Sequence, residues 1–245
     1  MNEQLATGDL DILAVGAHPD DVEVHVGGLL AKAAQRGMKV GILDLTSGDL
    51  GTRGTASTRR LEAMEAARIL GARRIILDLP DARFDEGEPN RLKVMAQLRA
   101  LRPGILILPA PQDRHPDHRR AFRLVQEAAY YSGLKNYPCA GAPFRPSAVA
   151  WVGGEDPGQP DLVLDVSDVW AQRMAALDAF GSQFTVDPLQ PPTRIADPAF
   201  RRGVEGRAMH WGSLISVTWA EALWAARPLP PALLALAGQL AGKPA

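Results

Sequence analysis

Through the first two-thirds of the chain, short aliphatic and β-branched runs alternate with segments whose apolar positions recur every three or four residues. That alternation predicts strands joined by crossover helices, and therefore a mainly parallel sheet. The strand candidates are 10–16 (LDILAVG), 38–45 (MKVGILDL), 74–79, 105–109, 147–152 and 161–165. Most are nearly continuous apolar runs, as expected of strands covered on both faces. Helical spacing appears over 21–36, 57–70, 90–101 and 118–132, with further helices expected at 167–180 and near 197–210. In 57–70 the apolar positions Leu61, Met64, Ala67, Ile69 and Leu70 define one face, and Gly71 supplies a stop. The proline-rich stretch 185–195 (TVDPLQPPTRI) reads as a loop and not a domain linker, because the remaining C-terminal segment is too short to bury a core of its own. The pattern therefore predicts one α/β domain over 1–245, a Rossmann-like three-layer α/β/α arrangement. The tail 228–245, rich in Pro, Ala and Leu, reads as a short helix at a surface or subunit contact.

Composition narrows the partners. The 27 basic and 28 acidic residues give a formal net charge of −1, so no overall field draws the chain to phosphate backbones or anionic membranes. Nucleic acid is not an expected partner. The single cysteine, Cys139, cannot form an internal disulfide, which agrees with a reducing compartment. The start MNEQLATGDLDIL lacks the basic and apolar regions of a secretory signal, and no apolar run is long enough to span a bilayer. A cytoplasmic protein with no membrane association is expected.

Two tetrapeptides carry the chemistry. His18-Pro19-Asp20-Asp21 follows the first strand and His115-Pro116-Asp117-His118 follows the fourth. In a parallel sheet both lie at the carboxyl edge, where the crevice of an open α/β sheet receives its ligand. Taken alone, the first is explained by a helix start: proline suits the first helical position, and acidic residues favour the first turn. The run from Gln112 to His118 exceeds what capping needs, and three of the chain's five histidines fall in the two tetrapeptides. Two histidines and a carboxylate converging on one crevice form a catalytic metal triad with positions open for water. The same donors suit zinc or iron(II); zinc is the better choice because hydrolysis needs only a Lewis acid and no oxidative cosubstrate site is apparent.

At these residues the chain resembles the LmbE-like, or PIG-L, family of zinc N-acetylglucosaminyl deacetylases. GAHPDDVE and DRHPDH are its two motifs, and the likeness runs from about residue 10 to about residue 225 through DLTSGDLGTRGTASTRRLEA, LPDARF, Ser182-Gln183-Phe184 and WGSLISVTWAEAL. Within the family it looks most like the bacillithiol-biosynthesis branch, which deacetylates N-acetylglucosaminyl malate. The resemblance implies zinc on His18, Asp21 and His118, and Asp20 as general base toward the attacking water. It implies that His115 stabilises the oxyanion or donates a proton, with Asp117 orienting it. Arg59 matches a substrate-side arginine whose fork could hold the malate carboxylate, and Arg53 is a second candidate in the glycine-containing loop 48–54. Relatives are commonly homo-oligomers, often hexamers, so an oligomer is expected. Three features depart from the pattern: His25 lies on the helical face of Asp21 and reads as a bystander, Phe200 replaces an active-site tyrosine of some relatives, and His210 receives no role.

The same chemistry could serve a GlcNAc-inositol, a chitooligosaccharide, an antibiotic precursor or a thiol-conjugate amide. A non-catalytic nucleotide-binding module is disfavoured, because GAHPDDVEVHVGG lacks the G-x-G-x-x-G fingerprint and no Walker lysine appears. An inactive metal-binding protein would have no need of the second carboxylate, Asp20.

Overall fold

A computed structural model describes residues 8–154 and 157–241. The first seven residues, which open the expected non-secretory start, and the last four of the tail lie outside the described residues. The element order is β1 (Ile12–Gly16), α1 (Asp21–Gln35), β2 (Val40–Thr46), α2 (Ala56–Leu70), β3 (Arg73–Leu79), α3 (Glu88–Leu101), β4 (Ile105–Leu108), α4 (Pro116–Tyr131), β5 (Ala148–Trp151) and β6 (Leu162–Asp165). A 3-10 turn, Ser167–Val169, then leads to α5 (Trp170–Asp178), α6 (Gly181–Phe184), α7 (Pro198–Leu214), β7 (Ala220–Ala225) and α8 (Pro231–Ala241). The expected strands and helices all form within a few residues of their predicted bounds. The tail does form a helix, and 185–195 is a loop.

The sheet has the order β3-β2-β1-β4-β5-β7-β6. β1 pairs in parallel with both β2 and β4, and β7 runs antiparallel between β5 and β6. Successive residues of each inner strand point to opposite faces, and both faces are covered. Ile12, Ile42 and Ile107 pack under α1, α2 and α8 through residues such as Leu29, Leu70 and Leu236. Leu13, Leu43 and Leu106 pack under α3 and α4 through Leu98 and Leu124. β7 is the one strand the hydrophobic pattern does not single out. Its sequence AEALWA is alanine-rich and suits a helix, but every position is buried between two strands, and tertiary placement overrides propensity.

The winding order creates the crevice. The chain leaves β1 outward through β2 to β3, then returns to place β4 against the other side of β1. The strands that carry the two tetrapeptides are therefore neighbours at the topological switch point, where open α/β sheets receive ligands.

Two buried networks brace this region. Arg74 on β3 grips Asp44 on β2 through Nε at 2.6 Å and Nη2 at 2.9 Å, and reaches Glu23 on α1 through Nη1 at 2.5 Å. All three side chains are inaccessible to solvent. Burial, helped by the neighbouring Glu23 and Asp21 carboxylates, pushes the Asp44 carboxyl up to about 6 against the pull of Arg74. In the second network α1 breaks its helical dihedrals at Val26, and the amides freed there, Gly28 and Leu29, donate to the Glu221 carboxylate of β7 at 2.9 and 2.6 Å. β7 thus fixes the angle at which the first turns of α1 enter the crevice. Among the described residues no helix is long and apolar enough to cross a membrane.

Candidate active site

β1 ends at Gly16, where a Cβ would stand 2.9 Å from the His18 carbonyl oxygen. Only glycine permits a turn this tight, and the turn drops His18 back over the sheet edge. Asp20 caps α1 with φ 111, a left-handed conformation for a non-glycine residue, so its backbone is strained. Asp21 opens the helix, and its carboxylate accepts the His18 backbone N–H at 2.9 Å. On the other side of the crevice, Pro116 starts α4 behind the cap residue His115, placing His118 in the first turn.

These elements bring the two tetrapeptides together. His118 Nε2 lies 3.2 Å from Asp21 Oδ1, and His18 Nδ1 lies 3.6 Å from Asp21 Oδ2. The ring centroids of His18 and His118 are 5.8 Å apart, and His115 is 4.8 Å from each of them. His18, His115 and His118 each offer a nitrogen within a 4.8 Å cluster, and so does a second group formed by His18 with carboxylates of Asp81 and Asp117. The sequence pattern had given Asp81 no role. It stands two residues beyond β3, accepts the Leu50 amide at 2.9 Å, and lies 3.2 Å from His18 Nε2.

The electrostatics follow from crowding. Burial opposes charge on His18, but Asp117, Asp21 and Asp81 around it outweigh that and hold its pKa well above the usual value. His118 likewise rises against burial to about 10 through Asp21 and Asp113. Burial disfavours the charged Asp21 too, yet His118 and His18 keep it well below the ordinary carboxyl range. Asp20 differs: desolvation dominates over the nearby Arg59 and raises it to about 7. His115 is lowered by burial and by the neighbouring imidazoles. Imidazole nitrogens and carboxylate oxygens are the donors that zinc and iron(II) accept, and the anionic surplus that protonates these histidines is what a divalent cation would neutralise in place of the protons. The residues therefore fit a metal ion.

Three expectations change. Asp117 does not orient His115 with its carboxylate; instead its backbone amide donates to His115 Nδ1 at 3.3 Å, leaving Nε2 as the N–H of a neutral ring. The Asp117 carboxylate, only 1% exposed, faces His18 Nε2 at 3.2 Å and is held by Arg120 at 2.7 Å and the Ala82 amide at 3.1 Å. Arg53 is turned away from a free substrate-facing position. Its guanidinium is buried against carbonyl oxygens of the proline-rich loop, Pro191 at 2.6 Å and Thr185 at 2.9 Å, so it clamps that loop to the β2–α2 connection. Arg59 does border the crevice but is 4% exposed, and both terminal nitrogens are engaged: Nη1 on the Gly48 carbonyl at 3.0 Å, Nη2 on the Pro19 carbonyl at 2.5 Å and on Asp20 Oδ2 at 3.1 Å. It anchors Asp20 and does not present a free fork.

Above the cluster lies a pocket of about 610 Å³, with Gly153, Phe184 and Phe200 on its walls and Arg114, Arg194 and Arg207 among its lining residues. None of these three arginines is paired with a carboxylate among the described residues. His25 lines the same pocket and stays uncharged, burial lowering it to about 3. Phe200 stacks on Phe184 at 5.9 Å, and His210 packs on Trp211 away from the pocket.

Comparison with known proteins identifies the family. The family profile described as PIG-L, GlcNAc-PI de-N-acetylase, matches residues 13–129, a span that contains both tetrapeptides. Diacetylchitobiose deacetylase of Thermococcus kodakarensis is 34% identical over 189 residues, covering 72% of this chain and 71% of that protein. A 4-oxalmesaconate hydratase of Pseudomonas putida is 26% identical over 241 residues, covering 88% and 89%. Among solved structures, the conserved protein TT1542 from Thermus thermophilus superposes with a TM-score of 0.82 at 38% identity, covering 90% of this chain and 96% of that one. Fold, paired motifs and relatives agree: the chain belongs to the PIG-L, GlcNAc-PI de-N-acetylase, family.

Proposed function

We propose that the chain is a metal-dependent N-deacetylase of an N-acetylglucosaminyl conjugate, with GlcNAc-malate of bacillithiol biosynthesis as its substrate and His18, Asp21 and His118 as the ligands of a zinc ion. The observation that carries this reading is the meeting of those three side chains on one pocket floor with a further carboxylate, Asp20, beside them. A divalent cation there supplies Lewis acidity toward the acetyl carbonyl and acidifies water. Asp20, buried beside the ligands with its orientation set by Arg59, is suited to take the proton of the attacking water. As the carbonyl carbon becomes tetrahedral, the His115 Nε2–H donates to the developing oxyanion. The C–N bond then breaks as the proton taken up by Asp20 passes to the sugar nitrogen, so that the free amine leaves and acetate remains.

The pocket is in the size range of small-molecule sites, enough for a sugar and its aglycone. With Arg59 engaged on Asp20 and Arg207 donating to the Val24 carbonyl at 3.3 Å, the lining arginines Arg114 and Arg194 are the groups available to an anionic aglycone, which favours malate over the neutral inositol and chitobiose. The deacetylase relative is matched at higher identity than the hydratase relative, and the paired base and donor suit amide hydrolysis.

The test is a free-amine assay of the zinc-loaded protein on GlcNAc-malate, diacetylchitobiose and a GlcNAc-inositol. The reading expects release from all to be metal-dependent and fastest from GlcNAc-malate. Release from the neutral conjugates alone would remove the malate assignment, and no release from any would remove deacetylation.

A further inference from the structure

Each of the two histidines proposed as metal ligands turns one ring nitrogen toward Asp21 and the other toward a second carboxylate. For His18 the rear nitrogen, Nε2, faces Asp81 and Asp117, both at 3.2 Å. For His118 the rear nitrogen is Nδ1, and Asp113 Oδ2 stands 3.2 Å from it. Neither motif reading nor family comparison assigns Asp113 a task, and it lies five residues before His118 in the loop after β4.

We infer that Asp113 is a positioning residue, which fixes His118 with its proton on Nδ1 and thereby selects Nε2 as the atom offered to the metal. The inference rests on the metal site proposed above. Asp113 cannot turn away from this task, because its Oδ1 accepts the His115 amide at 2.8 Å and its carbonyl oxygen accepts from the Arg119 guanidinium. An ionised carboxylate only accepts hydrogen bonds, so the nitrogen facing it must carry the hydrogen. Nε2 likewise faces a carboxylate, Asp21 Oδ1 at 3.2 Å, so without a cation both nitrogens carry a hydrogen; when a cation takes the place of the Nε2 hydrogen, the one on Nδ1 stays with Asp113 and Nε2 supplies the lone pair. The negative charge behind the ring also makes Nε2 a better donor, and losing such a partner typically weakens metal binding by about 10–100-fold. The β4–α4 loop and the first turn of α4 thus build three parts of the site: the anchor Asp113, the oxyanion donor His115 and the ligand His118.

The variants Asp113→Ala and Asp113→Asn separate aiming from loop support. An asparagine oxygen can still take the His115 amide, so the loop survives. Its NH2 then faces His118 Nδ1, where it favours the opposite tautomer. Metal-stripped full-length protein is titrated with zinc in competition with a chromogenic chelator, melting temperatures are recorded, and long-range proton–nitrogen spectra of the zinc-loaded protein report which His118 nitrogen is protonated. The expected result is zinc affinity about 10–100-fold weaker in both variants with the Asn variant melting close to wild type, loss of the Nδ1–H signal, and no additional weakening when Asp113→Ala is placed in a His118→Ala background. Wild-type affinity in either Asp113 variant, while His118→Ala loses zinc, overturns the inference. Unchanged zinc binding in His118→Ala overturns the metal-site reading itself.

Discussion

Asp20 combines a strained backbone, a buried carboxylate and a cationic anchor, traits that suit the proposed proton acceptor. Asp20→Ala should retain the metal yet lose turnover by about 10²–10⁴-fold, the range that general-base removal commands, as read by zinc content and initial rate on the same preparation. The raised histidines give a second prediction. His118 rises to about 10 and His18 is also raised, whereas Asp21 is lowered and carries no proton to displace near neutrality. Binding a cation must therefore expel protons from both rings, so log K for zinc should climb with pH by up to about two per pH unit through the neutral range. Chelator competition at several pH values measures the slope, and a flat profile contradicts the cluster. The two tetrapeptides that meet in the crevice were legible because histidine and aspartate were concentrated directly after two apolar strands. The partners of those residues were not. Asp113 and Asp81 lie in motif segments but received no role of their own, and Arg53 and Arg59 were assigned to substrate, since only the folded backbone shows that the two guanidinium groups are buried on carbonyl oxygens and on Asp20. The direction of the Asp117 side chain was equally hidden, because sequence adjacency to His115 does not reveal that its carboxylate turns across the crevice to His18.

At the scale of elements, the catalytic turns are held by contacts that lie well below them. Arg74 joins β3, β2 and α1 by neutralising Asp44 and Glu23 in a region without solvent. Arg74→Met would leave two carboxylates buried without a cation, so it should lower unfolding stability by about 3–5 kcal/mol in urea titrations; a loss under about 1 kcal/mol would mean the pair is neutralised otherwise. The parallel strands and their crossover helices were readable because β-branched runs and helical spacing alternate without interruption. β7 was not, since an alanine-rich segment with one glutamate has no strand signature. Its role emerges only from the three-dimensional pairing, in which Glu221 takes the two amides released by the break in α1. The lone acid in a buried strand was the trace this role left in the sequence.

For the whole molecule, the switch between β1 and β4 makes two loops about a hundred residues apart into one surface, and the metal is expected to tie them together. A ligand that binds only the folded state stabilises it by mass action, about 2.7 kcal/mol at a hundredfold excess over its dissociation constant. Chelation should accordingly lower the melting temperature and zinc should restore it, whereas His18→Ala should melt at the same temperature with and without zinc. The most direct test of the central claim is the position of the ion in crystals grown with zinc, located by anomalous scattering at the zinc edge. The predicted result is one peak about 2.0–2.1 Å from His18 Nδ1 and His118 Nε2 and at bonding distance from Asp21. A peak at His18 Nε2 shared with Asp81 and Asp117, or no peak between the two tetrapeptides, would contradict it.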